Sequence, residues 1–395
     1  MAAEELWITG MGVVSALGAG VESHLNAISA KRSGLEPAAI FGTPPDPVIC
    51  GMVPQQTLPL SIDDSASDRA DRLADIASRE ALVCAADQSC SNCETVVGTT
   101  LGNMHGGTLY YRDLRQGNGS NIGLVKNFLS CSTASNLAAE FHLQGKCITV
   151  SSACASGTTA ISTAALRIMN GNCECALAVG VDALSPFVVA GFNSLRLLSK
   201  EACRPFDTRR DGLNPGEGAG ALLIESSRHA VNRGAKPLAR IAGFGSALEA
   251  FHYTKSDPEG KGIATAIRGA LDMARIRPED IDHIHAHGTA TVINDTSEYN
   301  GFRSVFGERL CDIPVCSTKS MTGHTFGAAG AIATIFAIAS ITHSVIPPTL
   351  FHMEKDPVFA DLTVGSEPIY KKVNRVLCVT LGFGGEAAAV IIEKL

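Results

Sequence analysis

The chain has 395 residues, 45% of them hydrophobic and 18% charged, so it can bury a large core in two or three units or in one double domain. Its formal net charge of −7 argues against general nucleic-acid binding. The 13 cysteines form no evident disulfide framework, and many lie in apolar runs, which is typical of a reduced intracellular protein.

The N-terminal sequence Met-Ala-Ala-Glu-Glu lacks the pattern of a signal peptide. The longest apolar stretch, residues 327–341, is too short to span a bilayer and is better explained as a buried helix. We therefore expect a cytoplasmic protein that does not enter a membrane.

Ten apolar runs predict β-strands, with helical stretches between them. Strands that are apolar throughout are expected in sheets covered on both faces. A Pro-, Asp- and Ser-rich stretch, Phe41–Asp68, predicts a surface loop. The predicted strands are Leu6–Val13, Thr95–Thr99, Ile148–Ser152, Ala176–Val181, Ala219–Glu225, Ala239–Gly245, Ile281–Ala286, Ile313–Ser317, Val376–Thr380 and Ala388–Glu393.

The two halves of the chain resemble each other. Ile8-Thr-Gly-Met-Gly is similar to Ile241-Ala-Gly-Phe-Gly, and Thr149-Val-Ser-Ser-Ala-Cys is similar to Val315-Cys-Ser-Thr-Lys-Ser. A repeat of this length indicates two similar α/β halves rather than a solenoid. We predict a layered α/β/α/β/α fold from two duplicated halves, residues 1–230 with a candidate nucleophile and residues 231–395 with two candidate histidines.

The candidate catalytic residues follow predicted strands. Cys154 precedes a predicted helix, whose N-terminus would favour the thiolate, although most cysteines are merely small buried thiols. His287 and His324 lie in glycine-rich turns, where a histidine can also simply satisfy local backbone groups. Functional turns of such sheets lie at the carboxyl ends of strands, so Cys154, His287, His324 and Phe383 are predicted to share one pocket.

Other residues near these turns are candidates for support. Lys319 lies in an otherwise uncharged run and is either a buried ion-pair partner or a catalytic support, with Glu298 as its candidate partner. The loop Gly382-Phe383-Gly384-Gly is either a simple turn or a mobile gate whose N–H stabilises an oxyanion.

Metal and dinucleotide sites are not expected. His283, His285 and His287 alternate along a strand and could share one face, but no thiol in the run completes a metal site. Cys90-x-x-Cys93 has no second pair nearby. Gly10-Met-Gly12 lacks the third glycine of a dinucleotide loop. We predict no metal and no cofactor.

The motifs resemble those of the β-ketoacyl-[acyl carrier protein] synthases, specifically the elongating Cys-His-His type of the thiolase superfamily. The similarity runs from Ile8-Thr-Gly-Met-Gly to the C-terminus and includes Cys203-Arg-Pro-Phe-Asp and Gly216-Glu-Gly-Ala-Gly. The resemblance implies a thiolase-like fold and a decarboxylative Claisen condensation of malonyl-carrier protein with a Cys-bound acyl chain.

The same resemblance implies a role for each site residue. Cys154 would carry the acyl chain, His287 and His324 would stabilise the enolate as neutral donors, and Lys319 would order His324 and its surroundings electrostatically. The N–H groups of Cys154 and Phe383 would form an oxyanion hole, and Gly382, Phe383 and Gly384 would form a gate. Thr289 and Thr291 would contact the pantetheine arm, and Phe192 would line an acyl tunnel.

The implied partners are an acyl carrier protein and a second subunit, in a homodimer or in a heterodimer with a chain-length factor. The alternative function is the catalytic ketosynthase of a type II polyketide or polyene system. A thiolase would have a second catalytic cysteine near the C-terminus. An initiating synthase would have an asparagine in place of His324, and a chain-length factor would lack Cys154. A non-catalytic scaffold on the same fold is the alternative from another class.

Two stretches depart from the family pattern. The usual loop ends in Phe-Gly-Phe-Gly-Gly-Thr-Asn, whereas this chain reads Leu381-Gly-Phe-Gly-Gly-Glu-Ala387, which should alter how the gate is held. The stretch Asp63–Arg72 is acidic where relatives are often basic, which weakens the usual docking patch for a carrier protein. The basic residues left as docking candidates are Arg69, Arg72, Lys200, Arg204, Arg209 and Arg210.

Overall fold

Eleven strands, ten of them in one continuous path, join into one long mixed sheet in the computed structural model, which describes residues 4–39, 47–58, 69–84, 92–118, 122, 125 and 128–395. The strands are β1 Leu6–Ser15, β2 Gly18–Ala19, β3 Leu35–Ala38, β4 Val48–Gly51, β5 Glu94–Gly98, β6 Cys147–Val150, β7 Cys175–Asp182, β8 Gly218–Ser226, β9 Ala239–Leu248, β10 His283–His285, β11 Val315–Cys316, β12 Val345–Ile346, β13 Ile369–Tyr370, β14 Arg375–Gly382 and β15 Glu386–Glu393. The helices in the described residues are α1 Val21–Ser29, α2 Arg69–Cys84, α3 Met104–Gln116, α4 Ser132–Glu140, α5 Ser156–Met169, α6 Pro186–Ser194, α7 Ser227–Asn232, α8 Lys261–Ala274, α9 Val292–Phe306, α10 Lys319–Thr322 and α11 Ala329–His343.

The two halves of the sheet have the same strand order. The first half runs β6-β5-β7-β8-β1 and the second runs β11-β10-β14-β15-β9, so each places its own strands in the order third, second, fourth, fifth, first. The halves meet where Leu6–Ile8 of β1 pairs antiparallel with Ala239–Ile241 of β9. The ten predicted strands and the duplication are therefore confirmed, while the division at residues 230 and 231 stays a prediction.

Helices form three layers around the two halves of the sheet. Helices α5 and α11 pack on each other and contact strands of both halves, so they form the central layer. Helices α2 and α4 cover the outer face of the first half, and α8 and α9 cover that of the second. This arrangement is the predicted α/β/α/β/α order.

The central layer depends on small residues at its closest approach. A Cβ added to Gly157 of α5 would lie 2.6 Å from the carbonyl oxygen of Gly327 and 2.9 Å from the backbone nitrogen of Ala331. The segment Phe326–His343 is long and apolar enough to cross a membrane, but it is 89% buried within the protein. The predicted buried helix at residues 327–341 is thus the core of the molecule.

The predicted surface loop at 41–68 contains a buried strand. Val48 and Cys50 of β4 are buried, and β4 pairs with β3, so the loop prediction is wrong for residues 48–51. The Pro and Asp residues around this short strand conceal it from pattern analysis. Residues 41–46 and 59–68, with most of the acidic stretch Asp63–Arg72, lie outside the described residues, as does Cys90.

We expect Gly157→Ala to destabilise the protein by about 1–3 kcal/mol, because the new methyl group would press against backbone atoms that cannot move without parting α5 from α11. The measurement is the free energy of unfolding from denaturant titration. Gly365→Ala is the matched control, since a Cβ there meets no atom within 4 Å. Equal stability of the two variants would contradict the assigned packing.

Candidate active site

Cys154 lies on a tight turn between β6 and α5. The preceding residue, Ala153, has a φ of 47°, in the left-handed region that non-glycine residues seldom adopt. Hydroxyl groups hold this turn, because Thr100 Oγ1 and Ser156 Oγ donate to the Ala153 carbonyl at 2.9 and 2.5 Å. The turn presents the sulfur to the second half of the chain, and Cys154 is only 5% exposed.

Both predicted histidines lie beside this sulfur. His324 Nε2 is 3.1 Å from Cys154 Sγ, and the rings of His287 and His324 are 5.2 Å apart at an angle of 89°. The His324 backbone is held by the first half, because its N–H donates to the Asn214 carbonyl and its carbonyl accepts from the Gly216 N–H, both at 2.8 Å. The structure thus brings together the three residues that the sequence predicted.

The protonation of Cys154 differs from the expectation. Burial raises the pKa of Cys154 to about 12, although the charge of Lys319 and the N–H groups of Cys154 and Phe383 act in the opposite direction. Helix α5 begins only at Ser156, and the loss of solvent around the sulfur outweighs the stabilisation of a thiolate by the helix N-terminus. The N–H groups favour the thiolate, in the direction that the sequence predicted, but burial outweighs them and the resting residue is a thiol.

The two histidines are neutral in this setting. Burial lowers the pKa of both His287 and His324 well below the usual value, and the positive charge of Lys319 lowers each pKa further. A neutral imidazole carries one N–H donor and one acceptor, so either ring can donate a hydrogen bond without adding charge to the pocket.

Lys319 contacts His287 rather than His324. Its Nζ donates to the His287 carbonyl and lies 3.4 Å from His287 Nδ1. The expected partner of Lys319, Glu298, acts on it through its charge. The Glu298 carboxylate itself accepts hydrogen bonds from the N–H groups of His287 and Gly288 at 2.7 and 2.6 Å. Burial lowers the pKa of Lys319 and raises that of Glu298, while each charge favours the ionised form of the other.

A cavity of about 410 Å³ leads from the surface to these residues, and Cys154, His287 and His324 all line it. Thr289 and Thr291 also line the cavity, with their hydroxyl oxygens 2.9 Å apart. Hydroxyl groups placed in this way suit a polar, amide-bearing chain that reaches down the cavity.

Phe383 lines the cavity together with Phe192. Its ring stacks on Phe192 with 5.6 Å between centroids, and 37% of the residue is exposed. The loop after it is held by backbone contacts, since Gly384 N–H donates to the Tyr253 carbonyl at 2.8 Å and Glu249 N–H donates to the Gly385 carbonyl at 2.7 Å. In this chain, therefore, the segment from Glu249 to Tyr253 holds the loop that lacks the Thr-Asn pair.

Sequence analysis missed two residues that organise the site. Asp182, at the end of β7, is fully buried and accepts hydrogen bonds from Thr99 Oγ1 and from the Gly327 N–H, both at 2.6 Å. Phe326 packs on His324 with 5.0 Å between ring centroids. Asp182 could have been found from the sequence, because a carboxylate that ends an apolar strand is unusual. Phe326 could not, because a phenylalanine in an apolar run is ordinary.

Most docking candidates are engaged inside the protein. Arg69 pairs with the buried Glu217, and Arg210 pairs with Asp356 at 2.6 Å with only 6% of its side chain exposed. These two residues are therefore poor docking candidates. Lys200 is exposed, and Arg209 is 51% exposed although it contacts Asp207 and Glu354.

Comparison with known proteins gives one consistent family. The family described as "Beta-ketoacyl synthase, N-terminal domain" matches residues 3–230, and "Beta-ketoacyl synthase, C-terminal domain" matches residues 238–353. The chain is 32% identical over 403 residues to a 3-oxoacyl-[acyl-carrier-protein] synthase 2 of Staphylococcus aureus (strain N315), covering 98% of this chain and 97% of the relative.

A polyketide synthase subunit and a solved ketosynthase structure are also similar to this chain over nearly its whole length. The ketoacyl synthase alpha subunit of the tetracenomycin polyketide synthase of Streptomyces glaucescens is 32% identical over 417 residues, covering 98% of this chain and 96% of the relative. The solved structure "The ishigamide ketosynthase/chain length factor" has a TM-score of 0.93 and 30% identity, with full coverage of both chains.

Replacing Lys319 by methionine should raise the pKa values of His287 and His324. The lysine charge disfavours imidazolium, so its removal lets each ring take up a proton at higher pH. The measurement is a histidine NMR titration between pH 4 and 8. Lys261→Met is the control, since Lys261 is exposed and pairs with Glu259. Unchanged midpoints in Lys319→Met would contradict the assigned role of this charge.

Proposed function

Because this chain belongs to the β-ketoacyl synthase family, we propose that it is a 3-oxoacyl-[acyl-carrier-protein] synthase that extends fatty acid or polyketide chains. The proposal depends above all on the meeting of one thiol and two neutral imidazoles in a single cavity, with Cys154 Sγ 3.1 Å from His324 Nε2. Within that cavity the cysteine can hold an acyl group while the histidines bind a second thioester.

In the first step, Cys154 takes an acyl group from a carrier-protein thioester. Since the resting sulfur is a thiol, its attack needs a base, and His324 Nε2 is placed to accept the proton and return it to the departing pantetheine sulfur. The N–H groups of Cys154 and Phe383 hydrogen-bond at the sulfur, where they can stabilise the oxyanion of the tetrahedral intermediate.

In the second step, malonyl-carrier protein enters and loses CO2, and the electron pair of the broken bond becomes an enolate on the thioester. His287 and His324 stabilise that negative charge as neutral donors, His324 in the tautomer that carries its proton on Nε2. Because Lys319 Nζ donates at the His287 Nδ1 side, the ring proton of His287 lies on Nε2. Lys319 thus positions the His287 ring and also keeps both imidazoles neutral.

In the third step, the enolate carbon attacks the carbonyl carbon on Cys154. The new carbon–carbon bond forms, the bond to sulfur breaks, and the 3-oxoacyl product leaves on its carrier. The Cys154 thiolate then takes up one proton from solvent, the proton that the decarboxylation consumes overall. The two-stage transfer predicts ping-pong kinetics and needs no cofactor. Thr289 and Thr291 are placed to bind the pantetheine arm, and Phe383, flanked by Gly382 and Gly384, controls entry to Cys154.

The proposed enzyme is a dimer. Strand β6 ends the sheet, and within the described residues only β5 pairs with it, which leaves an edge that can pair with a second chain. Large apolar side chains are also exposed in the first half, among them Tyr111, Leu114 and Leu129. This first half, residues 1–230, supplies both the dimer edge and the nucleophile, while residues 231–395 supply the histidines.

A second candidate is the catalytic subunit of a type II polyketide or polyene system, paired with a chain-length factor. The likeness to the ishigamide ketosynthase/chain length factor structure supports it, as does the altered loop at residues 381–387. For either candidate we place the enzyme in the cytoplasm, because the cysteines in the described part of the chain are all free thiols.

Cys154→Ala and His287→Ala should separate the two half-reactions. Cys154→Ala should lose acylation and condensation but keep malonyl-carrier decarboxylation. His287→Ala should keep acylation and lose about 10²–10³-fold in decarboxylation, because one of two donors to the enolate is gone. Mass spectrometry of the Cys154 peptide and CO2 release measure the two steps, and condensation by Cys154→Ala would overturn the proposal.

Oligomeric state separates the two candidates. The chain purified alone should be an active homodimer if it is an elongating synthase, because the β6 edge then pairs with its own copy. Light scattering coupled to gel filtration, with a condensation assay on each fraction, makes the test. A chain that becomes active only when a chain-length factor is co-expressed would establish the second candidate.

A further inference from the structure

His285 is a buried histidine that the reaction steps above do not use. It lies on β10, two residues before His287, and is 2% exposed. Its ring stacks on Phe336 of α11, with 6.2 Å between centroids and 19° between the planes. Burial lowers the pKa of His285 well below the usual value, and the charges of His283 and Lys319 act in the same direction. The ring is therefore neutral and lies in the core of the protein.

One ring nitrogen of His285 makes a specific contact. His285 Nε2 lies 3.2 Å from Thr318 Oγ1, within hydrogen-bonding distance. Thr318 precedes α10, but its side chain makes no capping hydrogen bond to that helix, so the hydroxyl group is available to the imidazole. The other nitrogen, His285 Nδ1, is buried and has no hydrogen-bond partner among the residues that the structure describes. An unpaired buried nitrogen destabilises a fold, so stability alone does not explain a histidine at this position.

The contact joins β10 to the turn that carries Lys319. Thr318 directly precedes Lys319, whose Nζ donates to the His287 carbonyl and lies 3.4 Å from His287 Nδ1. Each segment thus contributes one side chain to the other, since His285 reaches Thr318 and Lys319 reaches His287. Two contacts at adjacent positions hold the amine at the imidazole more firmly than one contact does.

The other histidine of the site is held by different groups. Although α10 leads into His324, the His324 backbone is hydrogen-bonded to the first half of the chain through both its N–H and its carbonyl, each at 2.8 Å. A change at His285 should therefore disturb His287 more than it disturbs the pair of Cys154 and His324. Acylation uses only that pair, whereas decarboxylation also uses His287, so the two half-reactions respond differently.

We propose that His285 is a positioning residue for Lys319, an inference that rests on the function proposed above. By holding Thr318, the imidazole keeps the Lys319 amine on His287, where it fixes the ring proton on Nε2 and keeps the ring neutral. His285 therefore supports decarboxylation, in which His287 donates to the enolate, and not the acylation of Cys154. Only a neutral ring suits this role, because a charged one would repel the ammonium group of Lys319.

The test compares wild-type enzyme with His285→Leu and with Thr318→Val, which removes the hydroxyl group from the other side of the same contact. CO2 release from malonyl-carrier protein measures decarboxylation, and mass spectrometry of the Cys154 peptide measures acylation. We expect each variant to lose about tenfold in decarboxylation and to keep acylation within about twofold of wild type, because a misplaced donor slows the step that uses it. The double variant should be no slower than either single variant, since both changes remove the same contact.

A second readout does not depend on activity. In a histidine NMR titration, the pKa of His287 should rise in His285→Leu and in Thr318→Val toward its value in Lys319→Met, because a displaced ammonium group disfavours imidazolium less. A purely structural role of His285 would lower stability and leave this pKa unchanged.

Two variants serve as controls. Thr318→Ser keeps the hydroxyl group and should retain both half-reactions. His283→Leu removes an equally buried histidine of the same strand, whose Nδ1 lies 2.9 Å from the Pro314 carbonyl, so it should lower stability without changing the ratio of the half-reactions. If His285→Leu does not fold, Thr318→Val, which keeps the shape of the side chain, carries the test.

The outcomes separate the inference from the function. Wild-type decarboxylation in Thr318→Val, or an equal loss in Thr318→Ser and Thr318→Val, would overturn the role of His285 and leave the synthase function intact. An unchanged His287 pKa in both contact variants would also overturn it. If the wild-type enzyme neither acylated Cys154 nor released CO2, the proposed function itself would fail, and the NMR titration would still test the contact.

Discussion

The active site depends on how closely α5 and α11 pack between the two halves of the sheet. Cys154 precedes α5 in the first half, and His324 precedes α11 in the second, so the distance between the helices sets the distance between sulfur and imidazole. Glycine at position 157 permits this approach, because any larger residue would meet backbone atoms of the other half. The same contact that builds the core therefore also assembles the catalytic residues.

The halves are also joined by hydrogen bonds at the site itself. The His324 backbone pairs with residues 214 and 216 of the first half, and Asp182 of the first half accepts the Gly327 N–H. These contacts fix the imidazole by its backbone, so its ring nitrogens remain free for the sulfur and the substrate. Positioning through the backbone suits a residue that must change hydrogen-bond partners between half-reactions.

Burial explains the electrostatics of the pocket. Removing water disfavours every charged form, so the histidines stay neutral and the cysteine stays protonated. A neutral imidazole can donate a hydrogen bond to a developing enolate, and it avoids the cost of removing water from a charged imidazolium. A protonated sulfur is also less reactive towards other electrophiles than a thiolate.

The sequence by itself determined the ten strands, their duplication and the proposed catalytic set of one cysteine and two histidines, because hydrophobic periodicity and glycine-rich turns are local properties. It failed at β4, where short length and neighbouring prolines hid a buried strand. It expected Lys319 to act on His324 through its charge, as it does, but only the tertiary structure shows that the amine contacts His287 and that burial outweighs the groups favouring a Cys154 thiolate. Contacts between distant segments and the loss of solvent decide such details, and neither is written in local pattern. The roles of Asp182 and Phe326 depend in the same way on groups that only the folded chain brings together.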